Sequence, residues 1–193
     1  MNPILLSVAV AGAGAMMYVE RKGARVFPAW AIRGDVKRES RWFAQYGQGA
    51  CAAVVAALMW RLDTRTLDYG FGVYMPLLGA VWWSAVFAFL IKKMLSRARP
   101  RRHRAGDFLG TSPTLANWRE SFPSCHAACA TGMTVVLAHF YPEAALVFWS
   151  LAILCALLRY LMEAHWPSDI LAGFSLGYCM GWIALATTGG LSV

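Results

Sequence analysis

A chain of 193 residues that is 59% hydrophobic and 15% charged, with a mean hydropathy of +0.47, is too apolar for an ordinary soluble domain, and its length suits one domain spanning residues 1–193. The net charge of +8 would suit nucleic acid, but the Lys and Arg residues fall between apolar runs and not along one soluble face, which argues against that partner. A membrane surface or an anionic substrate is the better reading.

Residues 3–19 form the first uncharged run, closed by Glu20-Arg21-Lys22. The run lacks a basic start, which disfavours a cleaved signal peptide. Further runs cover residues 42–60, 69–91, 121–142, 144–162 (interrupted only by Arg159) and 170–193. Each is close to the roughly 20 residues that a membrane-crossing helix needs. The fold class expected is therefore all-α, a polytopic membrane protein built as a bundle of six transmembrane helices. Gly12, Gly14, Gly47, Gly49, Gly173 and Gly177 suit close helix packing in lipid. The cysteines Cys51, Cys129, Cys155 and Cys179 read as packing residues, since the spacing of the five suggests neither zinc nor disulfides; Cys125 stands apart by position.

Six crossings put segments 20–41, 92–120 and 163–169 on one side of the membrane and the turns at 61–68 and 142–143 on the other. Segment 20–41 is strongly basic, with Phe27, Trp30, Ile32 and Trp42 interleaved. It reads equally as an amphipathic stretch that gathers anionic lipid or as a solvated loop.

The polar residues on that shared side form three clusters. Lys92 leaves the third run as it ends, and Arg99-Pro100 follows seven positions on. A guanidinium fork and a point charge suit phosphate oxygens, although Arg101, Arg102, His103 and Arg104 fit an ordinary stop-transfer cluster equally well. Pro123-Ser124-Cys125-His126 opens the fourth run, with Pro123 expected in the first helical turn. Free amides beside a hydroxyl and an imidazole make an anion site, while Ser124 as a cap and His126 as an interfacial histidine is the plainer alternative. Arg159 costs about 2.5–3.5 kcal/mol if set mid-membrane, less near an end, so it needs a job or a partner. His165 precedes Pro167, and Asp169 falls in the first turn of the last helix. There its carboxylate could accept one imidazole N–H and leave the other nitrogen as a nucleophile. Glu163 has no evident place in this scheme.

Lys92-x6-Arg99-Pro100, Pro123-Ser124-Cys125-His126 and Arg159-x5-His165-x3-Asp169 resemble, in order, spacing and placement on six spans, the three signature motifs of the type 2 phosphatidic acid phosphatases, or lipid phosphate phosphatases. The resemblance covers residues 1 to about 190 and implies a metal-independent hydrolase without cofactor. It implies His165 as the nucleophile that forms a phosphohistidine, Asp169 as its orienting partner and His126 as proton donor. Lys92, Arg99, Ser124, Arg159 and the Cys125 amide would hold phosphoryl oxygens. Cys125 stands where the family usually has Gly, and Leu158 where it usually has Ser.

The function expected is hydrolysis of a phosphate or diphosphate monoester on a lipid drawn from the bilayer: a polyprenyl diphosphate, phosphatidylglycerophosphate or phosphatidic acid. The alternatives are transfer of the phosphoryl group to a second lipid, or an inactive lipid-binding or transport relative. The resemblance places the site on the extracytoplasmic face of a bacterial inner membrane. The charge distribution points the other way: segments 20–41 and 92–120 carry fifteen Lys and Arg against two in the opposite turns.

Overall fold

The computed structural model describes residues 1–24, 26–27, 32, 34–102, 104–111 and 116–192; Trp30 and His103, named above, lie outside them. Among the described residues there are seven α-helices and no named strand: α1 Pro3–Arg21, α2 Gly34–Phe43, α3 Gly49–Leu62, α4 Tyr74–Leu95, α5 Cys125–Phe140, α6 Ala145–Leu161 and α7 Pro167–Thr187. Asn2 caps α1, its Oδ1 accepting from the Ile4 amide at 3.0 Å, with Pro3 in the first turn.

Helices α1, α4, α7 and α6 with its leading turn are long and apolar enough to cross a membrane; α3 and α5, at 14 and 16 residues, are shorter. At 1.5 Å per residue, α5 reaches about 24 Å. It needs no more, because twelve of its sixteen residues are buried and the other helices pack around it. The expected count of six spans holds approximately, with α2 as an additional helix on the basic segment.

The second apolar run departs from expectation. Residues 44–47 form a 3-10 turn, and α3 starts only at Gly49. The cause lies at Gly47, where a β-carbon would stand 2.3 Å from the His126 carbonyl oxygen, so the chain turns there to pass against α5. Gly173 and Gly177 hold α7 equally close to α5, a β-carbon at Gly177 falling 2.1 Å from Ala128 O. Gly181 and Gly132 continue that seam. Gly14 and Gly49, by contrast, have open space where a side chain would go. Pro123 precedes α5, in a cis peptide after Phe122, and Ser124 is the cap.

The polar ends of α4, α5, α6 and α7 come together at one end of the bundle, as the parity of the spans requires. They are tied there by Arg97, just past the end of α4, whose side chain is 1% exposed. Its guanidinium donates to Asp169 Oδ1 at 2.6 Å, Ser168 Oγ at 2.6 Å and Glu20 Oε2 at 2.8 Å, with the Gly106 carbonyl at 3.2 Å. Glu20, in the last turn of α1, also accepts from the Ser168 amide. One buried cation thus joins α1, α7 and the 96–121 loop, packed between the rings of Phe108 and Trp166. Glu163, unplaced by sequence, accepts from Arg101 Nη2 at 2.7 Å and ties that loop to the α6–α7 connection.

Removing one partner of a buried ion network strands the others at a cost of about 3–5 kcal/mol. Arg97→Met is therefore expected to lower the melting temperature of the detergent-purified protein by roughly 6–20 °C for a chain of this size. Arg97→Lys recovers only part of the loss, because an ammonium cannot span two carboxylates as a fork does. Melting of Arg97→Met within about 2 °C of the parent would contradict this role.

Candidate functional site

Lys92, Arg99, Cys125, His126, Arg159 and His165 line one cavity of about 700 Å³, walled on its apolar side by Trp82, Phe89 and Leu90 of α4. These α4 side chains are also exposed on the outer face of the bundle, so the cavity borders the surface that lipid would contact. The helical code brings the cations together: Lys92 sits in the last turn of α4 and Arg159 in the last turn of α6. Arg99 is held by the loop, donating to the carbonyls of Asn117 at 2.7 Å and Ala164 at 3.2 Å.

Lys92 Nζ donates to the Glu120 carbonyl at 2.6 Å, and Arg99 reaches the same oxygen at 3.4 Å. Both cations are thus satisfied by neutral backbone, which positions them without cancelling their charge. Arg159 Nε is buried and has no hydrogen-bond partner among the described residues. Glu120 also lines the cavity and offsets part of the positive field. Helix α5 starts at Cys125, which lines the same cavity, and the first amides of a helix have no backbone acceptor within it. Three cations and a helix start make a strong anion site.

His165 is almost fully buried in the α6–α7 connection, and its Nδ1 lies 2.8 Å from the Ser121 carbonyl oxygen. A carbonyl only accepts, so Nδ1 carries the proton and Nε2 keeps its lone pair. Burial, reinforced by the charges of Lys92 and Arg159 against the pull of Asp169, holds the imidazole pKa down to about 4. The ring is therefore neutral at physiological pH.

Here the structure corrects the sequence reading. Asp169 Oδ2 is 3.8 Å from His165 Nδ1, too far for a hydrogen bond, and the tautomer is set by the Ser121 carbonyl. Asp169 instead accepts from Ser121 Oγ at 2.5 Å, the Trp166 amide at 2.9 Å and Arg97. It fixes the backbone that presents His165, acting one step behind the ring. Ser124 is likewise fully buried behind the cavity wall. Its hydroxyl caps α5 through the Ala127 amide at 3.5 Å, and its own amide donates to the Asp169 carbonyl. Cys125 borders the cavity with its Sγ 3.9 Å from Cys129 Sγ, and Leu158 is buried within α6.

Four residues that contact this arrangement escaped the sequence reading: Arg97, Ser121, Glu120 and Gln48, whose Nε2 lies 3.2 Å from His126 Nε2. Arg97 was hidden in a basic run, and Ser121 and Glu120 merely bordered an apolar one. Gln48 sat inside a run read as membrane span; as a polar residue between two glycines it was the one legible signal.

Comparison with known proteins agrees with this geometry. The sequence profile of the PAP2 superfamily matches residues 73–191. Over 121 residues, 60% of this chain, the sequence is 33% identical to a lipid A 1-phosphatase of Rhizobium etli and 31% identical to one of Rhizobium johnstonii. Those alignments cover 51% and 48% of the relatives, so the chain spans about half the length of the curated relatives it matches. The fold resembles the crystal structure of Aquifex aeolicus LpxE, with a TM-score of 0.64 and 23% identity over 81% of this chain and 88% of that one. It also resembles a transmembrane PAP2 type phosphatidylglycerolphosphate phosphatase from Bacillus subtilis, with a TM-score of 0.55 and 15% identity over 97% and 87%. With the profile covering more than half of its length and the three motifs gathered at one end of a helical membrane bundle, the chain belongs to the PAP2 superfamily.

Proposed function

We propose that the protein is a membrane lipid phosphate phosphatase that works through a phosphohistidine, without metal or other cofactor. One observation carries the reading: an unprotonated Nε2 of His165 shares a cavity with Lys92, Arg99, Arg159 and a helix start, next to a lipid-facing wall. A phosphate monoester brings about −1.5 to −2 charges at pH 7. The fixed cations offset that charge and the charge developing on the equatorial oxygens during transfer. His165 Nε2 attacks phosphorus and forms an N–P bond as the P–O bond to the lipid breaks. His126 gives a proton to the departing oxygen. Water then attacks the phosphohistidine, giving its proton to His126, and inorganic phosphate leaves. Asp169 acts through the Ser121 hydroxyl and the Trp166 amide, and Ser124 through the cap of α5.

The substrate is a phosphate or diphosphate monoester of a lipid. The similarity to lipid A 1-phosphatases makes a glycolipid 1-phosphate the first to try, before polyprenyl diphosphate, phosphatidylglycerophosphate and phosphatidic acid. Purified protein in detergent is expected to release inorganic phosphate from at least one of these, unaffected by EDTA and inhibited by vanadate. His165→Ala should lower turnover by about a thousandfold or more. Activity lost on chelation and restored by Mg²⁺ would overturn the mechanism, and lipid-to-lipid transfer without free phosphate would make the protein a phosphotransferase.

The site is proposed to face the exterior, against the fifteen Lys and Arg of segments 20–41 and 92–120; the twelve that remain once Lys92, Arg97 and Arg99 are set aside would gather anionic lipid. A cysteine at Thr111, in a background without the five native cysteines, is expected to react with a membrane-impermeant maleimide in intact cells. Labelling only after lysis would put the site on the cytoplasmic face.

A further inference from the structure

We infer that Gln48, which lies outside the profile match at 73–191, is a positioning residue for His126: it holds the ring at Nε2 and thereby assigns proton transfer to Nδ1. The inference rests on the phosphatase reading above.

Gln48 follows a strap, residues 44–47, that is pinned to α5 and α6. Cys155 Sγ donates to the Ala44 carbonyl at 3.4 Å, and Tyr46 Oη bonds Thr134 Oγ1 at 2.9 Å. Gly47 lies so close to the backbone of His126 that no larger residue fits. The amide of Gln48 is thus delivered to His126 by a segment fixed on three sides, and it is the ring's hydrogen-bond partner among the described residues. His126 itself stands where the cavity of about 700 Å³ meets a second of about 410 Å³ between α3, α4 and α5, which Gln48 also lines.

A neutral amide suits a histidine that passes its proton at one nitrogen only, because it can hold the other nitrogen protonated through both steps. As placed, Gln48 Nε2 faces His126 Nε2 and donates to a bare ring nitrogen; turned by half a rotation its carbonyl oxygen accepts from Nε2–H, and that turned orientation is the one proton transfer uses. When the ring is an imidazolium, Gln48 Oε1 holds Nε2–H. The proton on Nδ1 passes to the leaving-group oxygen as the lipid P–O bond breaks and the His165 N–P bond forms. The ring then remains neutral with Nε2–H still held and Nδ1 bare, ready to take a proton from the attacking water. Without Gln48 the ring can rotate and exchange tautomers, and the step that suffers is the one that needs a proton on the leaving group.

The test compares Gln48→Met, of similar shape but without a donor or acceptor, on two substrates: an alkyl phosphate, whose leaving group needs a proton, and a nitrophenyl phosphate, whose leaving group does not. The expected result is a drop in kcat of about 10- to 100-fold on the alkyl phosphate, under about threefold on the nitrophenyl phosphate, with KM changed by less than about twofold. Gln48→Glu, which restores an acceptor at the same reach, should recover most of the alkyl phosphate rate. If Gln48→Met fails to fold, Gln48→Asn, whose shorter arm withdraws the amide from the ring, should give the same pattern. Equal losses on both substrates, a loss confined to KM, or no loss overturns the inference. Histidine ¹⁵N NMR reads the bond independently of turnover: the substitution should shift the His126 tautomer balance, and unchanged nitrogen shifts overturn the inference too. A parent protein that releases phosphate from no substrate sinks the phosphatase reading, while the NMR comparison still decides the Gln48–His126 contact.

Discussion

The architecture of the site depends on one buried charge. Arg97 lies between the carboxylates of Glu20 and Asp169, each nearly inaccessible to solvent, so α1, α7 and the long loop must close on it together. Charges taken out of water are tolerated only when paired and hydrogen-bonded on every side, and here Ser168, Ser121 and the Trp166 amide complete the set. That demand makes the network a specificity device as much as a source of stability. A register shift of α7 by one residue would leave a buried charge without its partner. His165 inherits its position from this, since Ser121 bonds Asp169 through its hydroxyl and His165 through its carbonyl.

The division of charge across the bundle end follows from the same network. Arg97 is neutralised by carboxylates, whereas Lys92 and Arg99 are satisfied by backbone carbonyls and keep their field in the cavity. One arginine therefore builds the frame, and Lys92 and Arg99 keep charge available to an anion. The nucleophile candidate is neutral because it is dry, and the carbonyl that faces Nδ1 favours the tautomer with Nε2 bare.

Much of this was legible in the sequence, for physical reasons. The long apolar runs had to become helices because a bilayer lets backbone satisfy itself only in helices or closed barrels, and uncharged runs near 20 residues suit the helix. Their parity alone put Lys92, His126, Arg159 and His165 at one end. Helix-start chemistry placed Asp169 correctly in the first turn of α7 but not its partner. An i,i+4 spacing predicts proximity to His165, and the structure gives proximity at 3.8 Å without a bond. What decided the matter was Ser121, 44 residues away along the chain, and no local pattern encodes such a contact. Arg97 was unreadable for a related reason: in the run 92–104 every basic residue looks alike until burial separates them. The break at residues 44–48 was missed because hydropathy averages over Gly47 and Gln48, while the fold is decided there by a single close approach to α5.

The central claim is that His165 Nε2 makes a bond to phosphorus. Rapid acid-free quenching of the enzyme during turnover of a ³²P-labelled lipid phosphate tests it directly. The account predicts a protein-bound phosphoryl group that is stable to alkali, labile to acid, and mapped by peptide sequencing to His165. Single-turnover release of phosphate with no labelled protein, or label on Cys125, would contradict it.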